Sequence, residues 1–315
     1  MRIRKLGRTG IQVSEFCLGL LPIGPLQLNA PEDSIAEIVR HALEGGVTFF
    51  DTAKGYKTEA ALRKGLGSHT NDAVIATKSP AKDGDEMARD VEAALKELGR
   101  DQIDIFHLHA ARDSDPFKNR AGALKRLIKF KEEKVIRAVG VATHFVNVTR
   151  AAAKRRDVDV LLAINNLTGM GVMGGTAEQM SEAMKEAADS GVGVYVMKPL
   201  AGGNLIGKMM EAIDYARNIK GAAAVALGVV SMDELKFDLR VFEDHPLTKK
   251  DYAKTSKEPK KYVILGGCKG CGTCVKTCAS AAIEIVDKKA RIDDDKCVRC
   301  GYCAGECPEF WIRVV

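Results

Sequence analysis

Two sets of residues in this sequence could do chemistry. The first is a crowd of cysteines. Of nine in the chain, eight fall after position 267: Cys268, Cys271, Cys274, Cys278, Cys297, Cys300, Cys303 and Cys307. Each half of this crowd has three cysteines at CxxCxxC spacing and a fourth after three more residues. Thiolates so spaced suit paired iron–sulfur clusters, in which the fourth cysteine of each run ligates the other cluster. Cys268, Cys271, Cys274 and Cys307 would then hold one 4Fe–4S cluster, and Cys297, Cys300, Cys303 and Cys278 the second. Zinc sites more often use separated CxxC pairs, and clustered cysteines without an export signal argue for metal over disulfides. Pro308 follows Cys307, whereas Ala279 follows Cys278, a change of turn and not of ligand count. Cys17 stands alone and reads as a small buried apolar residue. The second set is Asp51 and Tyr56 (DTAKGY), Lys78 (VIATK) and His109 (IDIFHLH). A phenol is a poor acid at neutral pH unless a neighbour stabilises its anion. The Lys78 ammonium can do that, Asp51 can keep the ammonium charged and fixed, and His109 can orient a carbonyl or join a proton relay.

The elements that must position these groups are legible. Short apolar runs recur at Phe16–Leu20, Val47–Asp51, Val74–Lys78, Ile103–His109, Ile136–Ala142, Val158–Asn165, Val192–Met197 and Ala222–Leu227. Amphipathic segments lie between them. Ile35, Ile38, Val39, Ala42 and Leu43 follow helical spacing before Gly45-Gly46, and Met87, Val91, Leu95 and Leu98 do so before Gly99. Eight strands alternating with helices over some 245 residues predict an α/β chain closed as a (β/α)8 TIM barrel. A doubly wound sheet would more often show GxGxxG after its first strand, and none is there. Barrel active sites sit at the C-terminal ends of the strands, and Asp51, Lys78 and His109 end three consecutive runs. His107 points the same way as His109 but deeper, so it is expected to support the site from below. The lysine-rich stretch 248–261 reads as a solvated linker separating two cores. After it, Tyr262–Ile264 and Trp311–Val315 are expected to pair as strands, with a hairpin over Ile283–Ile292 turning at Asp287-Lys288-Lys289. The 46% apolar and 29% charged composition is that of a globular protein. A net charge of +6, spread widely, gives no case for a nucleic-acid or membrane partner. With no apolar leader or spanning run, a cytoplasmic location is expected.

Residues 260–315 resemble a small α+β bacterial-type two-cluster ferredoxin. Residues 1–245 resemble the aldo-keto reductases, with MRIRKLGRTGIQVSEFCLGL similar to their opening hairpin, FFDTAKGYKTEAALRKGL to their Asp/Tyr segment, VIATK to their Lys strand and IDIFHLHA to their His strand. The expected units are therefore 1–247, a 248–261 linker and 262–315. The resemblance implies a catalytic set of Asp51, Tyr56, Lys78 and His109 acting on a small carbonyl or alcohol with NAD(P)H. It implies cofactor contacts at Thr143 and His144 (VGVATHF), Lys198 (YVMKPLAGG), and Gly228, Ser231 and Lys236 after the eighth strand.

Departures from the family gather at the nicotinamide site. Met197 stands where a stacking aromatic is usual, Leu162 where a glutamine is expected (with Asn165 a substitute), and Val230 where NADP-preferring members carry a cation. Nicotinamide passes two electrons together and each cluster takes one, so a flavin is the alternative cofactor that could couple them. Three readings follow: an NAD(P)H-dependent carbonyl reductase coupled to or modulated by its clusters; a barrel using flavin or fed directly by the ferredoxin unit; and a non-catalytic electron-transfer or redox-sensing protein, which would work with a ferredoxin-type partner.

Overall fold

The structure is a computed structural model describing residues 1–109, 115–248, 261–278, 280–297 and 302–314. Cys300, Ala279, Val315 and most of the expected linker (249–260) lie outside the described residues. Every apolar run of the first 245 residues forms a strand: β3 (Phe16–Gly19), β4 (Phe49–Asp51), β5 (Val74–Ser79), β6 (Ile103–Leu108), β7 (Ile136–Thr143), β8 (Val160–Ile164), β9 (Gly193–Met197) and β10 (Ala222–Leu227). All eight are parallel and close into a barrel, with β10 pairing back onto β3. β4 is shorter than its apolar run. Thr48, just before it, donates its backbone N–H to Ser14 Oγ at 3.0 Å. His109 lies just past β6, its N–H still bonded to Ser79 O at 2.8 Å.

Two apolar layers result. The outer one lies between the strands and surrounding helices such as α1 (Glu32–Glu44), whose Ile35, Ile38, Val39 and Ala42 are buried. The inner one fills the barrel with Cys17, Phe49, Ala76, Ile105, Leu162 and Tyr195 among others. Leu6, Ile11 and Val13, from a hairpin of β1 (Ile3–Lys5) and β2 (Gln12–Ser14), join that inner layer and stopper the barrel. The stopper needs Gly7: with φ +53°, a Cβ there would stand 2.3 Å from Gly193 N. Among the described residues no helix is long and apolar enough to cross a membrane.

In the C-terminal unit β11 (Tyr262–Ile264) pairs antiparallel with β14 (Ile312–Val314), and β12 (Ile283–Val286) with β13 (Lys289–Ile292). The hairpin turns on two residues, Asp287 and Lys288, both with positive φ, the conformation that matches strand twist in the tightest hairpins. Lys289 is thereby freed to join β13. The C-terminal unit has a small apolar cluster of its own, around Ile283, Ala290 and Ile312, and it also touches the barrel. Phe310 is 1% exposed and belongs to the barrel's outer apolar layer. Tyr262 Oη donates to Asn204 Oδ1 at 3.3 Å. Lys198, Ala201 and Phe310, all near this joint, carry φ of +59°, +50° and +55°, backbone strain that only surrounding packing can hold.

Candidate active site

Alternation along each strand aims every second side chain into the barrel. Asp51 follows Phe49 inward, Lys78 follows Ala76, and His107 follows Ile105. These are charged or polar groups at the top of an apolar interior, and they meet one another. Lys78 Nζ donates to Asp51 Oδ1 at 2.5 Å and to Thr52 O at 2.6 Å. Both side chains are buried. Burial works against the ammonium, but Asp51 and Tyr56 outweigh it, so the Lys78 pKa is raised and the charge is kept. Tyr56 lies with its ring centroid 5.0 Å from Lys78 Nζ and edge-on to His109, centroids 5.9 Å apart. The structure thus brings Asp51, Tyr56, Lys78 and His109 into one cluster.

The phenol behaves differently from the sequence expectation. Lys78 does pull its pKa down, but desolvation is the larger influence and the net shift is upward. Tyr56 therefore holds its proton through neutral pH and is a donor, not a latent phenolate. His109 is pushed well down, by desolvation first and then by Lys78 and Lys198, so it is a neutral imidazole.

Below the cluster lies a chain of bonds that the sequence reading only partly reached. Tyr195 Oη donates to Asp51 Oδ2 at 2.9 Å and sits 2.7 Å from His107 Nε2. Since the hydroxyl proton goes to Asp51, His107 donates from Nε2 to the tyrosine oxygen. Burial keeps His107 neutral. Gly140, paired with His107 across β6 and β7, makes room for the ring, since a Cβ there would lie 2.1 Å from Nδ1. Tyr195 could have been found: it is two residues before Met197 on a strand, hence inward-facing, and a buried tyrosine hydroxyl needs a partner. Arg120 could not. It is 6% exposed and donates to Ala81 O, His109 O and Ser79 O, clamping the ends of β5 and β6 from 11 to 41 residues away. The loop carrying Tyr56 is anchored by Lys54 Nζ on Asp90 Oδ1 at 2.5 Å, and Asp90 also accepts from Ser79 Oγ.

A cavity runs from Asp51 and Tyr56, past Met197 and Lys198, to Gly228, Val230 and Glu234 beyond β10. Of the residues implicated in cofactor contact, Lys198 and Gly228 line it. The others do not. Thr143 Oγ1 accepts from Phe145 N. Asn165 turns toward α7 (Ala177–Asp189), donating to Ala177 O and Ser181 Oγ. Ser231 caps α9 (Met232–Phe242) through Glu234 N. Lys236 is exposed. His144 accepts from Lys198 Nζ at 3.0 Å and packs edge-on to Phe310. An elongated cavity with a helix N-terminus at its far end suits a dinucleotide in outline. That end carries carboxylates, however: Glu234 Oε2 accepts from Val230 N at 2.8 Å, and Asp238 lines the same wall.

In the C-terminal unit Cys268, Cys271, Cys274 and Cys307 line one cavity. Backbone N–H groups already point at sulfur, from Ala290 to Cys268 at 3.4 Å and from Trp311 to Cys307 at 3.2 Å. Cys274 is pushed up by burial and then by Cys307, Cys268 and Cys271. Four thiolates crowded in this way need a cationic centre, so the donor set fits a cluster. Of the second set Cys278, Cys297 and Cys303 are described; Ala282 N donates to Cys278 Sγ at 3.3 Å.

Residues 15–220 match the aldo/keto reductase family and residues 267–310 the 4Fe-4S dicluster domain. The chain belongs to the aldo/keto reductase family; it is an oxidoreductase with an iron–sulfur unit at its C-terminal end. It is 29% identical over 247 residues to the uncharacterized oxidoreductase YrpG of Bacillus subtilis, covering 70% of this chain and 73% of that one. It is 28% identical over 217 residues to the L-galactose dehydrogenase of Arabidopsis thaliana, covering 65% and 67%. The solved aldo-keto reductase AKR11C1 of Bacillus halodurans shares the fold, with a TM-score of 0.65 at 23% identity over 82% of this chain and 97% of that one.

Proposed function

We propose that the barrel interconverts a small carbonyl compound and its alcohol, with Tyr56 as the proton donor and acceptor. One observation carries the reading: a protonated phenol stands above a buried Lys78–Asp51 ion pair and beside the neutral His109. When bound, a nicotinamide would supply or accept the hydride at the carbonyl carbon. The chain supplies everything else. Lys78 stabilises the anion left on Tyr56 as its proton moves to the carbonyl oxygen, Asp51 keeps Lys78 charged, and Tyr195 with His107 holds Asp51 in place.

The favoured dinucleotide is NADH. A 2′-phosphate beyond β10 would approach Glu234 and meet no cation among the residues lining that end, whereas a ribose hydroxyl can donate to a carboxylate. A second reading, with a flavin in the cavity fed by the clusters, is favoured by the joint itself. Cys307 lies three residues from Phe310, whose ring packs on His144 and beneath Lys198 Nζ. Anaerobic purification followed by a UV–visible spectrum, mass analysis of released cofactors and titration with NADH and NADPH tests both. About eight iron and eight sulfide per chain are expected from two four-iron clusters, with tighter binding of NADH than of NADPH. A flavin released in equal amount to the chain would replace the nicotinamide reading by the second, and stoichiometric zinc without iron would remove the clusters.

A further inference from the structure

The cavity above Tyr56 is not built by the barrel alone. Arg313 and Val314, on the last strand of the iron–sulfur unit, line it together with Asp51, Tyr56 and Lys198. Arg313 is 2% exposed. The barrel loop beneath it accommodates this approach. A Cβ on Gly202 would stand 2.6 Å from Arg313 Cδ and one on Gly203 2.6 Å from Val314 Cβ, and both glycines have positive φ. The guanidinium lies 3.8 Å from the Phe310 ring centroid, and Nη1 donates to Ile312 O at 3.0 Å. Stacking and that bond fix the plane of the fork at the cavity wall. Its charge is felt at Tyr56, where it favours the phenolate.

We propose that Arg313 is the anion-binding residue of the catalytic cavity, contributed by the iron–sulfur unit, so that the site is complete only when the two units are docked. A planar, permanently charged fork at the wall of a mostly apolar cavity selects a group with paired anionic oxygens. That chemistry has two sources here: a carboxylate on the carbonyl substrate, or the phosphates of the dinucleotide. The proposal rests on reading this cavity as the catalytic one.

The test uses the full-length, cluster-loaded protein and anaerobic calorimetry, so no turnover is required and a failure of carbonyl reduction does not decide it. The probes are 4-carboxybenzaldehyde, its uncharged analogue 4-nitrobenzaldehyde, NADH and inorganic pyrophosphate. R313M is expected to weaken the anionic probe that uses the fork by about tenfold to a hundredfold, the usual weight of a charge-assisted hydrogen bond. R313K should recover part of the loss by restoring a point charge without the fork. An unchanged visible spectrum from the clusters in both variants checks that the unit stays folded. Loss confined to 4-carboxybenzaldehyde assigns the fork to a substrate carboxylate; loss shared by NADH and pyrophosphate assigns it to the cofactor phosphates. The proposal is overturned if wild type binds none of the three anionic probes, if R313M binds them as wild type does, or if 4-nitrobenzaldehyde loses as much as its charged analogue.

Discussion

The barrel mouth and the iron–sulfur unit hold their reactive groups in opposite ways. At the mouth, Lys78, Asp51, Tyr195 and His107 satisfy one another within an interior packed on both faces of the sheet. In the iron–sulfur unit the buried cluster is small, and two of its members, Cys274 and Cys303, are themselves expected ligands. A segment of some 55 residues buries only a marginal apolar area, and crowded thiols oppose each other until a metal centre joins them. One region is thus preorganised by its own bonds, the other conditional on metal. Yet the conditional region lends the preorganised one Phe310, Arg313 and Val314.

The largest expected effect isolates the preorganised half. Tyr56→Phe removes the proposed proton donor and leaves the Lys78–Asp51 pair and the cavity in place. Carbonyl reduction should fall by about 10²–10⁴-fold, with NADH affinity by calorimetry close to that of wild type. Turnover undiminished in this variant would take Tyr56 out of the mechanism.

Phe310→Ala attacks the dependence between the halves. Truncating a fully buried phenylalanine costs about 3–5 kcal/mol, and here that cost falls on the joint, because the ring packs against His144, Lys198 and Arg313. Scanning calorimetry should show one cooperative transition in wild type and two separated transitions in the variant. The anionic probe that uses Arg313 should weaken in parallel. A single unshifted transition would show that the docked surface is energetically idle.

How much of this was legible beforehand follows from the range of each signal. The eight strands were readable because apolar runs and stop signals are local, and the iron–sulfur unit because its cysteine spacing is local too. Asp51, Lys78 and His109 drew attention by ending consecutive runs. Tyr195 was within reach of the same alternation that places Met197 at the cavity. The joint was not. Phe310 and Arg313 sit in a stretch that reads as a terminal strand of a small domain, and their barrel neighbours, His144, Lys198 and Gly202, are more than 100 residues away. The lysine-rich 248–261 stretch argues for separation, and nothing periodic in either unit reports that the two faces fit. Asn165 misled for a related reason: its residue type suits an amide contact, but its side chain turns to Ser181 on the outer side of the strand.

The smallest effect concerns Glu59, which sits beneath the Tyr56 loop and is 2% exposed. It accepts from Thr58 N at 3.1 Å and from Thr77 Oγ1 at 3.4 Å. Burial outweighs these bonds and raises its pKa from 4.5 to about 7. The unfolded chain therefore releases this proton near pH 4.5 and the folded chain near pH 7, and between the two the folded state binds the extra proton. The stability contributed by protonated Glu59 is fully present below the lower value and lost as pH rises through the upper one. A rise from 4.5 to about 7 corresponds to at most about 3.5 kcal/mol. Glu59→Gln replaces the acid with a neutral side chain of the same shape that still accepts one bond. Its melting temperature should fall less than that of wild type between pH 5.5 and 8, and the two should converge toward the acid end, where wild-type Glu59 is itself neutral. Calorimetric melts of the cluster-loaded protein at four or five pH values measure this. Parallel curves for the two proteins would mean that Glu59 titrates alike in both states and that the polar floor under the Tyr56 loop solvates its charge.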